Sequence, residues 1–300
     1  MKLSQAGQSV LDFYSQTYHH STCSQWTQRI ENQQIFIDGE PATCGQVLAK
    51  NQCLEYHREP WAEPDVPLDF AIIHEDADFW IIDKPAGLPV MPAGNFLENT
   101  LLWQLTKQFP GENLAPIHRL GRGTSGLMIL GRSPLGKQQL TRQLREHQIA
   151  KIYHALIPAG DYPDQQTIQT PIGKVSHPTL GTIFAAKGDG LFARSEMRVL
   201  QRLENLSLVE VQIFTGRPHQ IRIHLAAMGY PLVGDPLYLP GGLPKIAEQD
   251  QRAALPGDCG YFLNAHHLKF THPGQQKAVE FFSQIGFSNF SWRPDIERFP

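Results

Sequence analysis

The sequence has no long apolar run and few cysteines, and each shortage excludes a class of protein. No stretch approaches the ~18 apolar residues of a membrane-spanning helix, and the N-terminus has neither a signal-peptide core nor an Arg-rich transit pattern. The four cysteines form no C-x-x-C pair, and their spacing suits neither a zinc site nor a secreted disulfide framework. We therefore expect a cytoplasmic chain with reduced thiols, no membrane association and no bound metal.

The composition and length predict a chain with a sizeable core. Of the 300 residues, 41% are hydrophobic and 18% are charged, which is ordinary for a soluble protein. This length predicts either one large domain or a large domain with a small one. Residues 48–67 are rich in proline and acids. We therefore expect a small N-terminal module with its linker over residues 1–66 and a main domain over residues 67–300.

The net charge of −3 conceals an uneven distribution of charge along the chain. The segment 118–154 carries seven Lys or Arg and one acid, whereas the segment 55–83 carries nine acids and one Arg. A basic segment in a chain of nearly neutral charge is compatible with a nucleic-acid partner, and it is equally typical of a solvated helix face. Charge alone leaves both interpretations open.

Hydrophobic periodicity predicts strands and helices that alternate along the chain. Strands are predicted over 33–41, 70–76, 79–84, 126–132, 151–160, 193–203 and 206–214, with two more in 259–273. Helices are predicted over 8–20, 97–109, 133–148 and 217–229. Strands that follow one another directly, with helices inserted between some of them, predict an α+β fold with a largely antiparallel sheet.

The segment PIHRLGRGTSGL, residues 116–127, gathers cations, glycines and a Thr-Ser pair. It is not a nucleophile elbow, since the second glycine of G-x-S-x-G is missing and a strand follows the serine. It is not a Walker loop either, because no G-K-[ST] follows the glycines. The thirteen histidines also predict no metal site, since His219 and His224 lack the i, i+4 spacing of an H-E-x-x-H pair.

Four segments together carry a specific resemblance. IIDKPAGLPV, HRLGRGTSGL, KIYHAL and TGRPHQIRIHLAAMGYPLVGDPLY occur in this order between residues 81 and 238. They resemble the RluA family of RNA pseudouridine synthases over about residues 70–238. The segment 29–56 more weakly resembles a degenerate form of the small RNA-binding module of ribosomal protein S-four. The resemblance implies the pseudouridine synthase fold, rRNA or tRNA as the partner, no cofactor and a monomeric chain.

The resemblance also implies roles for individual residues. Arg119, beside His118 in the loop, would help to displace the target nucleotide from its stack. Tyr153 would lie against the uracil ring, for which an aromatic face is physically suited. Arg222 would sit beneath the pocket as the partner of a carboxylate. The pocket wall and floor are expected to come from Leu127, Ile223 and Lys84.

The chain departs from the family pattern at Gly121. The family loop reads His-Arg-Leu-Asp, and its aspartate is the essential catalytic residue, whereas this chain reads His-Arg-Leu-Gly. A glycine supplies neither a nucleophile nor a base, and loss of such a group usually costs several powers of ten in rate. Arg222 would also lose its partner, and a buried unpaired charge costs about 3–5 kcal/mol. The sequence thus predicts that another group occupies this space.

Four acids are candidates for that group. Asp83 is the one we expect, because it directly precedes Lys84 in the first motif. Glu98, Asp76 and Asp235 are the others, and Asp235 has the alternative role of capping a turn. Three functions stay open: an RNA uridine isomerase with a replaced acid, an inactive RNA-binding protein that retains the uridine pocket, and a metabolic enzyme acting on a free nucleotide or sugar phosphate.

Overall fold

The computed structural model describes residues 6–18, 21–246 and 254–285. The chain divides into two compact units, Met1–Ala62 and Glu63–Pro300, a few residues before the boundary expected from composition. Within the described residues, no helix has the length and apolar character needed to cross a membrane.

The described part of the N-terminal unit contains two helices and a small sheet. Its elements are α1 (Val10–Thr17), α2 (Cys23–Glu31), β1 (Ile35–Ile37), β2 (Glu40–Pro41) and β3 (Leu54–Tyr56). β1 is the central strand and pairs antiparallel with both β2 and β3. α2 was not among the predicted helices, and it begins with a capping box between Thr22 and Gln25. Val10, Trp26 and Ile35 are part of the core of this unit.

The larger unit contains the remaining elements of the described chain. Its helices are α3 (Leu101–Gln108), α4 (Pro134–Arg145) and α5 (Gln220–Ala227). Its strands are β4 (Ala71–Glu75), β5 (Phe79–Lys84), β6 (Ala115–Pro116), β7 (Ser125–Gly131), β8 (Ala150–Pro158), β9 (Gln165–Ile168), β10 (Ile172–His177), β11 (Gly181–Ala186), β12 (Ser195–Arg202), β13 (Leu206–Ile213), β14 (Tyr238–Leu239), β15 (Leu243–Pro244), β16 (Leu263–Thr271) and β17 (Ala278–Phe282).

Ten of these strands form one sheet within the described residues. The main path runs β4-β5-β7-β16-β8-β13-β12-β9, with β6 paired to β7 and β17 paired to β16. All pairs are antiparallel except β7 with β16. The fold is therefore α+β with a largely antiparallel central sheet, as the sequence predicts.

The parallel pair of β7 and β16 requires a glycine. Gly126 has a φ of +107°, and a Cβ there would lie 2.4 Å from the backbone oxygen of Ala265. Ala265 is the register partner of Gly126 on one side and of Tyr153 on the other. Because Gly126 allows the two backbones to approach closely, β16 lies directly between the start of β7 and the strand that carries Tyr153.

The described residues of the larger unit form three buried hydrophobic clusters. The Tyr153 cluster includes Trp80, Ile82, Leu120, Met128, Leu130, Tyr153, Ile221, Leu225, Tyr261 and Leu263. The α4 cluster contains Phe79, Ile81, Leu127, Ile129, Leu140, Ile149, Leu268 and Phe270. The hairpin cluster contains Ile172, Ile183, Ala193, Ile223, Ala226, Leu237 and Tyr238. Successive residues of β5 and β7 alternate between the first two clusters, so both faces of these strands are buried.

Most predicted elements form, with differences at specific places. α5 begins only at Gln220, because His219 before it adopts a left-handed conformation with φ of 55°. Gly229 follows this helix with φ of +96°, as expected for a glycine that ends a helix. Within residues 259–273 there is one strand, β16, where two were expected, and the hairpin β10–β11 was not predicted.

Candidate active site

The loop between β6 and β7 carries the first group of site residues. The amide of Thr124 donates to the carbonyl of Gly121 at 3.1 Å, which closes a turn. The amide of Gly87, in the corner after β5, donates to the carbonyl of Arg122 at 2.7 Å. A backbone hydrogen bond therefore joins the loop to the corner that follows β5.

Lys84 lies under this junction and is fully buried. Its Nζ donates to the carbonyls of Pro85, Leu88 and Arg122 at 2.8, 2.9 and 3.3 Å. Burial lowers the pKa of the Lys84 amine to about 7. Because its donors are directed at backbone carbonyls, Lys84 holds the loop and the corner in place and does not present its charge to a ligand.

His118 and Arg119 are neighbours with different surroundings. His118 is half-buried, and its Nε2 accepts from the amide of Ile129 at 3.2 Å. Burial, with a smaller effect of Lys151, lowers the pKa of His118 to about 3, so the ring is neutral and supports the loop. Arg119 is exposed and makes no hydrogen bond or ion pair with any other residue in the described chain. Its guanidinium is available to a ligand.

Arg222 on α5 is buried and has a carboxylate partner. Its Nε and one terminal nitrogen each donate to Asp235 at 2.7 Å, while the other donates to the carbonyl of Pro256 at 3.1 Å. The two charged side chains are 3% and 1% exposed. Burial opposes protonation of Arg222, but the hydrogen bonds and charge of Asp235 outweigh it and raise the pKa of the guanidinium. This is a bidentate, desolvated ion pair.

Asp235 also caps a turn, the role that its sequence context predicted. One carboxylate oxygen accepts from the amides of Leu237 and Tyr238 at 2.9 and 3.2 Å. With the two bonds from Arg222, the carboxylate accepts four hydrogen bonds. It neutralises the buried arginine and has little capacity left to act as a base.

Two tyrosine rings flank the Arg222 guanidinium. The ring centroids of Tyr261 and Tyr238 lie 4.3 and 5.0 Å from it. The hydroxyl of Tyr261 lies 3.2 Å from that of Thr124. A Cβ on Gly121 would come within 3.2 Å of the Tyr261 hydroxyl. Tyr261 was not predicted as a site residue, because its partner Thr124 is 137 positions away in the chain.

Tyr153 belongs to the same buried cluster as Tyr261. Burial raises the pKa of the Tyr153 phenol, so the side chain is neutral at neutral pH. Its hydroxyl makes no hydrogen bond to any other residue in the described part of the chain. The loop, Tyr153 and Arg222 are thus linked through the Tyr153 cluster and the ring of Tyr261.

Three expected site residues lie elsewhere, and these expectations are corrected. Leu127 packs in the α4 cluster and Ile223 in the hairpin cluster, so they do not form one wall with Tyr153. Asp83 is fully buried, and its carboxylate accepts from the hydroxyl of Ser283 and from the amide of Gln284. Asp83 therefore does not replace the missing acid beside Arg222.

The other two candidate acids also have separate roles. Asp76 accepts from His74 and His272, each at 2.9 Å, where the β4–β5 turn meets the end of β16. No hydrogen bond or ion pair connects Glu98 with Arg222 in the described chain. Of the four candidates, Asp235 alone pairs with Arg222 among the described residues.

A cavity of about 360 Å³ lies beside the loop. Its walls include the corner residues 85–87, Gly123, Ser125 and Tyr261. This volume is in the range of small-molecule sites. Among the described residues, no group of three or more His, Cys, Asp or Glu side chains is arranged to hold a metal ion.

Comparison with known proteins places the chain in a family. Residues 78–227 match the family model described as RNA pseudouridylate synthase. An uncharacterized RNA pseudouridine synthase of Synechocystis is 49% identical over 271 residues, covering 90% of this chain and 92% of the relative. RNA pseudouridine synthase 5 of Arabidopsis thaliana is 38% identical, covering 87% and 84% of the two chains.

A third relative is named for the large ribosomal subunit. The ribosomal large subunit pseudouridine synthase D of Pseudomonas aeruginosa is 34% identical, covering 80% of this chain and 76% of the relative. The solved structure of human RNA pseudouridylate synthase domain containing 1 has a TM-score of 0.55 at 24% identity, covering 74% of this chain and 86% of that one, and supports the fold. The chain belongs to the RluA-type RNA pseudouridine synthases, which are isomerases.

Proposed function

We propose that the protein isomerises uridine to pseudouridine in rRNA or tRNA, acting as a monomer in the cytoplasm with Gly121 at the position of the family aspartate. The observation that carries this proposal is the bidentate pair of Arg222 and Asp235 at 2.7 Å. Without a partner, the buried guanidinium would destabilise the site by about 3–5 kcal/mol. Asp235 removes this cost, so the pocket is stable without an acid in the loop.

The free guanidinium of Arg119 and the neutral ring of Tyr153 support the same function. An exposed cation on a loop can contact an RNA phosphate and take the place of a displaced base. A neutral aromatic ring can stack on the extruded uracil. These are the two contacts that an enzyme needs in order to hold a nucleotide outside its stack.

The test is pseudouridine mapping in RNA from cells that carry the natural gene, a deletion or one of two variants. Arg119→Ala should remove the same modified site that the deletion removes. Arg142→Ala is the matched control, because Arg142 is an exposed arginine of the same basic segment but lies on α4. Identical modification at every uridine with and without the gene would contradict the proposal.

A second function is favoured by one specific observation. Neither position 121 nor 123 carries an acid, and the carboxylate of Asp235 already accepts four hydrogen bonds. The chain would then be an inactive RNA-binding protein that retains the uridine pocket. In that case the purified natural chain binds RNA without product, and Gly121→Asp produces pseudouridine. Product formation by the natural chain would exclude this alternative.

For the N-terminal unit we propose an RNA-binding role as a degenerate S-four-like module. Arg58 is exposed and its guanidinium lies 3.8 Å from the ring centroid of Trp61, a pairing able to stack on a nucleotide. Arg58→Ala should weaken RNA binding without lowering the unfolding temperature. Lys50→Ala, at an exposed position of the same unit, is the matched control. Equal RNA affinity of the natural chain and Arg58→Ala would contradict this role.

A further inference from the structure

Two glycines of the loop are sterically coupled to Tyr261. A Cβ on Gly123 would lie 2.9 Å from two carbons of the Tyr261 ring, and a Cβ on Gly121 would lie 3.2 Å from its hydroxyl. Neither glycine has a positive φ, so the backbone itself would accept a side chain at both positions. The phenol of Tyr261 thus occupies the space into which side chains at 121 and 123 would extend.

The position of this phenol is fixed from two directions. The Arg222 guanidinium lies 4.3 Å from the ring centroid, and the Thr124 hydroxyl lies 3.2 Å from the phenol oxygen. Tyr261 is buried and also lines the cavity beside the loop. Its ring therefore has little freedom to move away from a new side chain, and its hydroxyl lies at the boundary between the loop and the cavity.

The Tyr261 phenol differs chemically from the loop aspartate of the family. Burial raises the pKa of the Tyr261 phenol, against the lowering effects of Arg222 and of the Thr124 hydrogen bond, so the hydroxyl is neutral at neutral pH. A neutral hydroxyl can donate a hydrogen bond but cannot replace a carboxylate as a base or nucleophile at low cost. When the glycosidic bond breaks, negative charge develops on the uracil carbonyl oxygens, and a fixed donor stabilises that charge.

We propose that Tyr261 is a catalytic residue that occupies the place of the loop aspartate, donating its hydroxyl hydrogen bond to a carbonyl oxygen of the departing uracil. Gly121 and Gly123 are glycines because this phenol fills their side-chain space. The inference rests on the proposed isomerase function. It also predicts that Gly121→Asp lowers the unfolding temperature, and that removal of the Tyr261 hydroxyl restores it in part.

The coupling is tested by thermal unfolding of purified full-length variants. Gly121→Ala and Gly123→Ala should each lower the unfolding temperature of the natural chain. In a Tyr261→Phe background, Gly121→Ala should no longer lower the unfolding temperature, because its methyl group would meet Tyr261 only at the hydroxyl. Gly123→Ala should still lower it, because its methyl group would meet the ring. Tyr261→Ala should abolish both effects. Gly188→Ala is the control, since its Cβ would meet no atom within 4 Å. Equal costs in all three backgrounds would overturn the coupling.

The catalytic role is tested by single-turnover kinetics on the RNA identified by mapping. Tyr261→Phe keeps the ring beside Arg222 and should lower the rate of isomerisation by about 100-fold, with the Kd for RNA changed by less than about twofold. Tyr230→Phe is the control, because its hydroxyl donates to the carbonyl of Asp161 at 3.2 Å. A rate for Tyr261→Phe equal to that of the control would overturn the role.

These experiments test the role of Tyr261 separately from the isomerase activity of the chain. If the natural chain isomerises no uridine, the proposed function fails, while the unfolding measurements still decide whether Tyr261 excludes side chains at 121 and 123. If the natural chain is active and Tyr261→Phe is equally active, the function stands and the catalytic role of Tyr261 is wrong.

Discussion

Lys84 and Arg222 are two buried cations of one site that differ in their partners. Arg222 has a bidentate carboxylate, whereas Lys84 donates only to carbonyls among the described residues. The pKa of Arg222 is raised, and burial lowers the pKa of Lys84 to about 7. The ion pair can keep its charge in the pocket at any physiological pH, whereas Lys84 keeps three N–H donors only while it is protonated, and above its pKa of about 7 the neutral amine has two.

The largest expected effect comes from breaking the ion pair. Asp235→Asn leaves the guanidinium of Arg222 buried without a counter-charge, which should lower the free energy of unfolding by about 3–5 kcal/mol in denaturant titrations. Asp189→Asn is the control, because the side chains of its ion pair are exposed, Lys187 at 41% and Asp189 at 75%. This control should change the free energy of unfolding by about 0–1 kcal/mol. Similar losses of unfolding free energy in both variants would contradict the distinction between the buried and the exposed ion pair.

The second effect is a pH dependence that only the lysine should show. The folded pKa of about 7 lies below the ordinary value for lysine, so the unfolded chain binds more protons between these two values. The free energy of unfolding should therefore rise by about 2 kcal/mol between pH 7 and pH 9, and fall by the same amount when the pH is lowered again. Lys84→Met should flatten this part of the profile in denaturant unfolding at several pH values. An unchanged slope in the variant would show that another group is responsible.

The smallest effect on stability is expected at Arg119, the exposed third cation of the site. Arg119→Ala removes no hydrogen bond or ion pair to another described residue and should change the free energy of unfolding by less than about 0.5 kcal/mol. Its effect should appear in RNA binding, as a reduction of about 1 in the slope of log K against log salt concentration. A large loss of stability with an unchanged salt slope would assign Arg119 to the fold and not to the RNA.

Most strands and the four motifs could be identified from the sequence. The prediction that Asp83 replaces the missing loop aspartate was wrong for a geometric reason. Asp83 was chosen because it adjoins Lys84 in the chain. In a strand, adjacent residues point to opposite faces, so closeness to Lys84 placed Asp83 on the wrong side of the sheet. Asp83 is paired in register with Leu127, and both belong to the side of the α4 cluster. The same alternation explains why Leu127 is not in the pocket wall.

Contacts made across long distances in the chain were beyond the reach of local patterns. Tyr261 meets the loop only in the tertiary structure, and no periodicity in residues 259–263 indicates a contact with Gly121 or Gly123. The pairing of Arg222 with Asp235 is similar, since it depends on how the chain turns after α5. In both cases the sequence showed that an acid was missing, but only the packing shows what lies in the vacated space.

The place of β16 in the sheet bears on the order in which the protein is assembled. This late strand is inserted between β7 and β8, which are separated in the chain by little more than α4. A nascent chain that ends before residue 263 cannot bring Tyr153 into register with the start of β7, because the intervening strand has not yet been synthesised. The site is thus completed only after β16 has been synthesised, and folding should be slow, as is typical of sheets closed by distant pairings.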